Sequence, residues 1–483
     1  MAVKRSLGVP ARCGHNVSMG IIEDIGGLIG QGRVLTGEDA APYGRDWMGV
    51  HETRPLAVVR PGSTGEVAAI MRRAHEEGVP VVPISGNTGL TGATRADGAL
   101  MLSLERMTAI RAMKPEARVM VAEAGCVLST LHDAAAEHSL VFPLTFGARG
   151  QARLGGALST NAGGSNVLRY GSTRGLCLGI EAVMADGRVM NLLGELHKDN
   201  AGYALKDLLV GAEGTLGIVT AASLKLFPAP QATVTMMLAP VSLSAALTAL
   251  NRLQAASGGA VEAFEYMPRT FVEGYMTLGG REPFDAPHPI NVLAEIGVTS
   301  DAEAEEGADG TIPAAAKAEA VLAALFEDGL LSDAVIASSG QQRAEMWARR
   351  EAAAEIARLR KPHADFDVAV GLDAVERFLA EAREAVRHLD PEADVLEVAH
   401  LGDGNVHYTV YYTGAVPKDE IVEAVEDVVQ RLGGSFSAEH GIGTDKLNTM
   451  RRRKDPTALD AMRAIKAALD PKGILNPGKV IPD

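Results

Sequence analysis

The chain has 483 residues, of which 47% are hydrophobic and 22% charged, a globular composition that is long enough for two or three domains. Its net charge of -15 disfavours general binding to nucleic acid or to anionic lipid. Cys13, Cys126 and Cys177 lie far apart and no Cys-x-x-Cys occurs, which argues against an iron–sulfur cluster or a thiolate zinc site.

The first twenty residues predict a disordered leader. They contain Lys4, Arg5 and Arg12 but no continuous hydrophobic stretch, so we do not expect a secretory signal. No apolar run approaches the roughly 18 residues of a transmembrane helix. Because cysteine is also scarce, the sequence favours a cytoplasmic protein.

From residue 54 to residue 228, short apolar runs alternate with helical stretches, which is typical of an α/β domain. Thr64-Gly-Glu66 predicts a helix that begins with a threonine cap. Pro228-Ala-Pro230 breaks the pattern and predicts a domain boundary. The strands that we predict before this boundary are 56–59, 79–84, 100–104, 119–122, 178–184 and 218–226.

Beyond the boundary, predicted strands alternate with helices that begin at Leu243 and Pro268, which predicts an antiparallel sheet covered by helices. The acidic segment 299–311 predicts a mobile surface loop, and the run Arg451–Lys454 predicts a solvated helix end rather than a basic binding patch. The remaining predictions are strands at 233–238, 261–266 and 291–298, helices at 314–328, 341–360 and 458–469, and a turn-rich tail to residue 480.

Three glycine-rich segments lie between predicted strands of the first half. They are Ser85–Gly92, Gly155–Gly164 and Gly211–Ile218. Glycine allows positive φ and lets backbone amides converge on anionic oxygens. The first segment matches neither Gly-x-Gly-x-x-Gly nor a lysine-bearing phosphate loop, and alone it would more often be a tight turn. Together they predict a site for a long, phosphate-bearing ligand.

A second group of residues indicates a metal. Strands at 395–400 and 406–412, joined by Gly402-Asp-Gly-Asn405, predict a hairpin that places His400 and His407 side by side. A third predicted strand, Gly434–Glu439, would carry Glu439 beside them. Two imidazoles and a carboxylate with an open position are typical of a catalytic metal site. Buried histidines that are simply satisfied in the core remain the alternative.

The glycine segments, in this order and spacing, resemble the FAD-binding domain of the vanillyl-alcohol-oxidase/p-cresol-methylhydroxylase superfamily. From about residue 50 to the end, the chain is similar to the D-lactate and D-2-hydroxyglutarate dehydrogenase branch. The motifs that carry this similarity are Asn161-Ala-Gly-Gly164, Asp199-Asn-Ala-Gly-Tyr203, Gly214-Thr-Leu-Gly-Ile218 and Asn476-Pro-Gly-Lys479.

The resemblance implies an α+β fold. A two-part α/β FAD-binding domain would cover residues 21–228, and a substrate- and metal-binding cap domain with an antiparallel sheet would cover 229–455. The C-terminal helix and tail, 456–483, would return to the FAD-binding domain.

The resemblance also implies FAD. Covalently flavinylated relatives often carry a histidine in the pyrophosphate loop, where this chain has Asn87, so we expect non-covalent FAD. The residues expected to bind it are Pro83, Ser85, Gly86, Asn87, Thr88, Gly89, Leu90, Gly92, Gly155, Thr160, Asn161, Gly163, Gly164, Tyr170, Gly171, Glu213, Gly214, Gly217, Ile218 and Asn476.

In this branch the second group of residues implies a divalent metal, commonly zinc, on His400, His407 and Glu439. Manganese, iron and cobalt remain alternatives, because such a ligand set accepts several divalent ions. His440 would contact the substrate and act as the general base. Arg350 would bind the substrate carboxylate, unless it is a surface arginine on an alanine-rich helix.

The implied function is an FAD- and metal-dependent dehydrogenase that oxidises a D-2-hydroxy acid, of D-lactate or D-2-hydroxyglutarate type, by hydride transfer to flavin N5. Electrons would pass to an external acceptor, either an electron-transfer flavoprotein or a quinone, and a homodimer is one candidate assembly. Relatives that oxidise hydroxyglutarate add a hydroxyl and a lysine where this chain has Ala354 and Asp365; Lys361 and His363 are candidate substitutes. The alternatives are an alcohol oxidase using O₂, a metallohydrolase and a non-catalytic nucleotide-binding subunit.

Overall fold

The structure, a computed structural model, describes residues 15–47, 49–308 and 310–483. Most of the predicted leader therefore lies outside the described residues, and a helix already begins at His15. Among the described residues, no helix combines the length and the apolar character needed to cross a membrane.

The elements up to Pro228 follow the predicted alternation of strands and helices. The strands are β1 Val34–Leu35, β2 Ala57–Val59, β3 Val81–Ile84, β4 Leu100–Ser103, β5 Ile110–Lys114, β6 Val119–Glu123, β7 Leu140–Val141, β8 Cys177–Val183, β9 Val189–Leu192, β10 Ile218–Lys225 and β11 Phe227–Pro228. The α-helices are α1 His15–Ile29, α2 Thr64–Glu77, α3 Leu128–Ala136, α4 Leu154–Thr160, α5 Val167–Tyr170, α6 Thr173–Leu176 and α7 Leu205–Leu209.

These strands form two main sheets. The first has the order β1-β2-β4-β3, and β2, β4 and β3 run parallel. The second is antiparallel, with the order β5-β6-β10-β8-β9. This two-part arrangement is the one that the resemblance implies for the first half.

The residue that caps helix α2 lies one position earlier than predicted. Ser63 has extended backbone angles, and its hydroxyl accepts a hydrogen bond from the Glu66 amide. The Glu66 carboxylate in turn accepts from the Gly62 amide. Two backbone amides at the start of the helix therefore have hydrogen-bond partners. The predicted cap at Thr64 is wrong because its hydroxyl donates to Glu181 instead.

The elements after Pro228 build a second unit. Its strands are β12 Ala232–Pro240, β13 Val261–Pro268, β14 Ile290–Val298, β15 Leu331–Ile336, β16 His363–Ala369, β17 Asp394–His400 and β18 Asn405–Tyr411. Its α-helices, with the two that end the chain, are α8 Leu243–Ala256, α9 Arg269–Thr277, α10 Asp301–Ala304, α11 Pro313–Glu327, α12 Gly340–Glu351, α13 Ala353–Ala357, α14 Val375–Leu389, α15 Lys418–Arg431, α16 Leu447–Arg453 and α17 Pro456–Leu469.

The seven strands make one antiparallel sheet in the order β15-β12-β14-β13-β17-β18-β16. Helices α8, α11, α14 and α15 bury one face of it. Helix α14 shows why, because its buried residues recur at helical spacing from Val375 to Val386 and form one apolar stripe. The other face lies under α9, α12 and α13. The predicted α+β fold is thus confirmed.

The end of the chain returns to the first unit. The Val81 amide of β3 donates to the Ile474 carbonyl at 2.8 Å, and the Asn476 amide donates to the Val81 carbonyl at 2.9 Å. The tail therefore extends the parallel sheet at its β3 edge.

We propose the division at Pro228-Ala-Pro230, which the change of sheet supports. Residues 21–228 and 456–483 are called the first domain below, and residues 229–455 the second domain.

Three predictions for the second domain are wrong in detail. The helix predicted over 341–360 is broken at Ala352 into α12 and α13. The acidic segment 299–311 includes the short helix α10. The segment Gly434–Glu439 is a loop with an isolated bridge between Ser435 and Ala369. The Ser435 amide donates to the Ala369 carbonyl of β16, whereas the amides of Ala438 and Glu439 donate to the Asp367 side chain.

The basic run at residues 451–454 ends helix α16, as predicted, but it is not simply solvated. The Arg453 side chain is only 6% exposed and forms ion pairs with Glu423, Glu426 and Asp427. These contacts hold α16 against α15.

Candidate active site

Strands β17 and β18 bring His400 and His407 together. His407 pairs with Val398, and His400 lies two residues beyond Val398 on the same strand, so both histidines project from one face. Their ring centroids are 5.4 Å apart. The turn between the strands requires Gly404, which has a φ of 81° and no room for a Cβ beside the Val370 carbonyl. The predicted hairpin is therefore present.

Glu439 and His440 reach these histidines from a loop, residues 436–446, which we call the His440 loop. The Asp367 carboxylate on β16 holds this loop in place. Its Oδ2 accepts from the backbone amides of Ala438, Glu439 and His440 at 3.1, 3.0 and 2.8 Å. Asp367 is directly opposite His407 in the sheet register, so one carboxylate sets both the loop and the strand.

The side chains converge closely. Glu439 Oε1 is 3.5 Å from His407 Nε2 and 3.9 Å from His440 Nε2, and the rings of His407 and His440 stack at 5.5 Å. Asp367 lies behind both rings, 3.8 and 3.7 Å from their Nδ1 atoms. Potential ligand atoms of these four residues all lie within 4.8 Å of one another, so the donor set suits a divalent cation.

Of the three predicted ligands, His407 and Glu439 are in this tight group and His400 is beside it. His400 Nδ1 is bonded to Glu265 Oε1 at 2.9 Å, and its Nε2 is 3.4 Å from Arg350 Nη2. Asp367 is in the group instead, but its oxygens already accept from three amides and from Asn405. Asp367 is therefore better suited to support ligands than to be one.

Arg350 lies inside the site. Its Nε donates to Glu265 Oε2 at 2.7 Å, and the residue is only 8% exposed. A surface arginine is therefore ruled out. Glu265, on β13, pairs with His400 in the sheet register and is hydrogen-bonded to both His400 and Arg350.

Charge and burial set the protonation of the site. Burial alone would raise the pKa of Glu265, but His400 and Arg350 lower it to about 2, so this carboxylate is ionised at neutral pH. Burial alone would lower the pKa of His400, but the Glu265 carboxylate raises it. Burial lowers the pKa of His407 well below its usual value, which keeps its imidazole neutral, the form that binds metals.

Sequence reasoning missed Asp367 and Glu265. Each is a buried carboxylate on a strand, in His363-Ala-Asp-Phe-Asp367 and Val261-Glu-Ala-Phe-Glu265. A buried charge is costly unless it is paired. A carboxylate on a strand that is expected to be buried was therefore the available sequence signal for these two residues.

The three glycine segments also meet, on the first-domain side of the site. A Cβ on Gly86 would lie 2.7 Å from the Gln151 carbonyl, and one on Gly214 would lie 2.4 Å from Pro83 Cγ. Asn161 ends α4 with a φ of 51°, and its side-chain oxygen accepts from the Arg174 amide. Close backbone approach is therefore real at these positions, as the glycines predicted.

Asn476 supplies a test of whether a cofactor fits. The residue is 2% exposed, and its Nδ2 donates to the carbonyls of Ala93 and Glu213. Its Oδ1 is buried and has no hydrogen-bond partner among the described residues. Because buried acceptors are normally satisfied, a bound ligand with an N–H or O–H donor suits this position.

The two sides of the site touch at Gly163. A Cβ there would lie 3.0 Å from Glu439 Oε2. A glycine of the second glycine segment thus makes room for the carboxylate of Glu439.

Two residues assigned to FAD have their side chains engaged elsewhere. The Tyr170 hydroxyl donates to Glu262 of the second domain at 2.5 Å. The Glu213 carboxylate accepts from the amides of Ile442 and Gly443. Both side chains therefore join the two domains.

Comparison with known proteins gives consistent matches to flavoenzymes. Residues 55–193 match the FAD binding domain family, and residues 229–480 match the C-terminal domain of FAD linked oxidases. D-2-hydroxyglutarate dehydrogenase of Xanthomonas citri pv. viticola is 37% identical, over 92% of this chain and 92% of its own. The mitochondrial D-2-hydroxyglutarate dehydrogenase of Bos taurus is 36% identical, over 93% of this chain and 81% of its own.

Solved structures with a similar fold include p-cresol methylhydroxylase with substrate bound, at a TM-score of 0.75 and 16% identity, covering 98% of this chain and 99% of that one. A structure of alkyldihydroxyacetonephosphate synthase has a TM-score of 0.71 at 16% identity, covering 97% of this chain and 86% of that one. The chain is thus an oxidoreductase that belongs to the FAD-linked oxidases of the vanillyl-alcohol-oxidase/p-cresol-methylhydroxylase superfamily, in the branch that contains the D-2-hydroxyglutarate dehydrogenases.

Proposed function

We propose that this protein oxidises a D-2-hydroxy acid to the corresponding 2-oxo acid, and that D-2-hydroxyglutarate is the first substrate to test. The observation that carries the proposal is the contact between Glu439 and Gly163. It supports the proposal because the group that we assign to the metal lies directly against a loop that we assign to FAD. The relatives named above supply the choice of first substrate.

The residues of the site divide the work. Arg350 would bind the substrate carboxylate, since a guanidinium matches a carboxylate in shape and charge. His440 would accept the hydroxyl proton of the substrate at Nε2, which faces the Glu439 carboxylate. Its Nδ1 faces Asp367, and this carboxylate would stabilise the imidazolium that forms.

The cofactors supply the rest of the chemistry: bound FAD accepts a hydride, and a bound divalent metal lowers the pKa of the substrate hydroxyl. We assign the metal to His400, His407 and Glu439, with zinc as the first candidate. Glu265 behind His400 and Asp367 behind His407 would orient the ligands, as carboxylates commonly do behind metal-binding histidines. We assign FAD to the glycine segments and Asn476, without a covalent bond.

We propose that the pocket for the distal end of the substrate differs from the one that the resemblance to hydroxyglutarate-oxidising relatives implies. Asp365 is exposed, and it accepts from Thr409 at 2.8 Å and lies 3.3 Å from His363 Nε2. It shares a strand face with Asp367, two residues away. Ala354 is also exposed. A substrate panel must therefore include neutral side chains as well as the diacid.

Rapid mixing of the flavin-loaded protein with D- and L-2-hydroxy acids tests the proposal. We expect bleaching of the flavin absorption with D acids and not with their L enantiomers. Flavin that stays oxidised with every acid would disprove it. Chelation of the metal should then slow reduction without releasing flavin, and full activity in verified metal-free protein would remove the metal from the reaction.

The electron acceptor, the compartment and the assembly are further proposals. We propose an electron-transfer flavoprotein or a quinone as acceptor, because the sequence shows no second redox motif. Buried free thiols at Cys126 and Cys177 fit a reducing cytoplasm, and a homodimer is the proposed assembly. Slow reoxidation of reduced flavin by air would support a dehydrogenase, and fast reoxidation would favour an oxidase.

A further inference from the structure

We infer that Glu213 is a positioning residue that sets the distance between the His440 loop and the flavin-binding segments. This inference rests on the proposed function, since it concerns the residues that hold the proposed base. It also gives a separate structural role to a residue that the resemblance assigned to FAD.

The contact is short and buried. Glu213 Oε1 accepts from the Ile442 amide at 2.7 Å, and Oε2 accepts from the Gly443 amide at 2.9 Å. The residue is only 6% exposed. Gly441 allows the approach, because a Cβ there would lie 2.7 Å from Glu213 Oε1. A carboxylate that receives two backbone amides makes strong charge-assisted hydrogen bonds.

Glu213 is itself firmly held in the first domain. Its amide donates to the Ser159 carbonyl at 2.8 Å, beside Asn161 of the second glycine segment. Its carbonyl accepts from Asn476 Nδ2 at 2.7 Å. A movement of Glu213 would therefore require a movement of the segments assigned to FAD.

The His440 loop thus has two anchors of the same kind. Asp367 ties residues 438–440 to the seven-stranded sheet, and Glu213 ties residues 442 and 443 to the first domain. Lys446 Nζ is 3.9 Å from Asp367 Oδ2. Burial lowers the pKa of Lys446, and the charges of Asp367 and Glu213 oppose that shift. Thr91 adds support, since its carbonyl accepts from the Thr444 amide at 2.9 Å.

The two anchors have separable effects. The Asp367 anchor preserves the geometry of Glu439 and His440 within the second domain. The Glu213 anchor fixes that group against the flavin side. Loss of Glu213 should therefore leave the metal and the substrate bound, yet misplace them relative to the flavin, where displacement by about 1 Å can lower a rate by about a hundredfold.

The test compares Glu213→Gln with Glu181→Gln in the full-length, flavin-loaded protein. Glu181 is a matched control because it accepts from Thr64, Thr220 and Arg111, all within the first domain. For Glu213→Gln we expect at least about a tenfold slower flavin reduction, with unchanged affinities for zinc and for the reducing hydroxy acid. Glu181→Gln should reduce at the normal rate.

Hydrogen exchange measures the protection of the amides bonded to Glu213 and does not require enzymatic turnover. In Glu213→Gln, the amides of residues 442 and 443 should exchange about tenfold faster, while those of 438–440 keep their protection. Unchanged exchange at 442 and 443, or a reduction rate within twofold of the parent, would overturn the inference. If Glu213→Gln does not fold, Glu213→Asp, one methylene shorter, takes its place with the same criteria. If no hydroxy acid reduces the flavin, the proposed function is refuted instead. The hydrogen-exchange result would still test whether Glu213 anchors the His440 loop.

Discussion

Replacement of Glu265 by glutamine should destabilise the protein. The carboxylate is 1% exposed and accepts from Arg350 Nε at 2.7 Å and from His400 Nδ1 at 2.9 Å. Glutamine has one acceptor oxygen, so its amide group would face one of these donors. An unpaired buried charge costs about 3–5 kcal/mol of unfolding free energy.

The pKa of Glu265 gives a similar magnitude. A fall from the ordinary 4.5 to about 2 corresponds to about 3 kcal/mol of stability at neutral pH. The folded-state pKa is depressed, so this contribution is complete above about pH 4.5 and is lost as the pH falls towards 2. Each pH unit within that window should remove about 1.4 kcal/mol.

Urea unfolding of the metal-free, flavin-loaded protein at pH 7, 4.5 and 3.5 measures how the free energy of unfolding depends on Glu265. Glu265→Gln should lose about 3 kcal/mol at pH 7 and less at pH 3.5. Glu351→Gln is the control, because Glu351 forms an exposed pair with Arg149 that should contribute less than about 1 kcal/mol. Equal losses for the two variants, or a loss for Glu265→Gln that does not shrink in acid, would refute this reasoning.

Three other predictions use simple measurements. His440→Asn should bind the hydroxy acid with normal affinity but reduce flavin about 10²–10⁴-fold more slowly, as rapid mixing can show; a normal rate would exclude it as the base. Asn405→Ala removes a donor to Asp367 at 2.9 Å and should weaken zinc binding about 10–100-fold in a chelator competition, whereas equal affinity would show that this support is unnecessary. Burial raises the pKa of Cys126 and of Cys177 to about 11. In a Cys13→Ser variant, neither thiol should therefore react with a disulfide reagent at pH 8 until urea is added. Rapid labelling of the folded protein would contradict their burial.

Regular patterns made most of the fold predictable. The apolar runs that predicted strands from 56–59 to 406–412 became strands within one or two residues at most ends, because pairing in a sheet and alternation of side chains leave a local trace. The His400–His407 hairpin followed from its turn. The helix break at Ala352 left no such trace, since alanine-rich sequence favours an unbroken helix.

The site was predictable only in part. His407, Glu439 and His440 were correctly expected to lie together, but the third strand that should deliver Glu439 is absent. Asp367, which is 72 residues away from Glu439 in the chain, holds Glu439 in place instead. A side chain that organises a distant loop has no local signature, and neither does the role of Glu213, whose partners lie about 230 residues further on. Spacing and turn chemistry report local structure, whereas these carboxylates act through tertiary contacts.

The pairing of the tail with β3 has a consequence for how the protein is made. Residues near Ile474 and Asn476 hydrogen-bond to Val81, so an edge of a sheet begun early in synthesis stays unpaired until this segment has been made. The nascent chain must therefore carry an unpaired strand edge through the production of the whole second domain. Domains usually fold as they emerge, but the first domain can complete this sheet only after residues 474–476 have emerged.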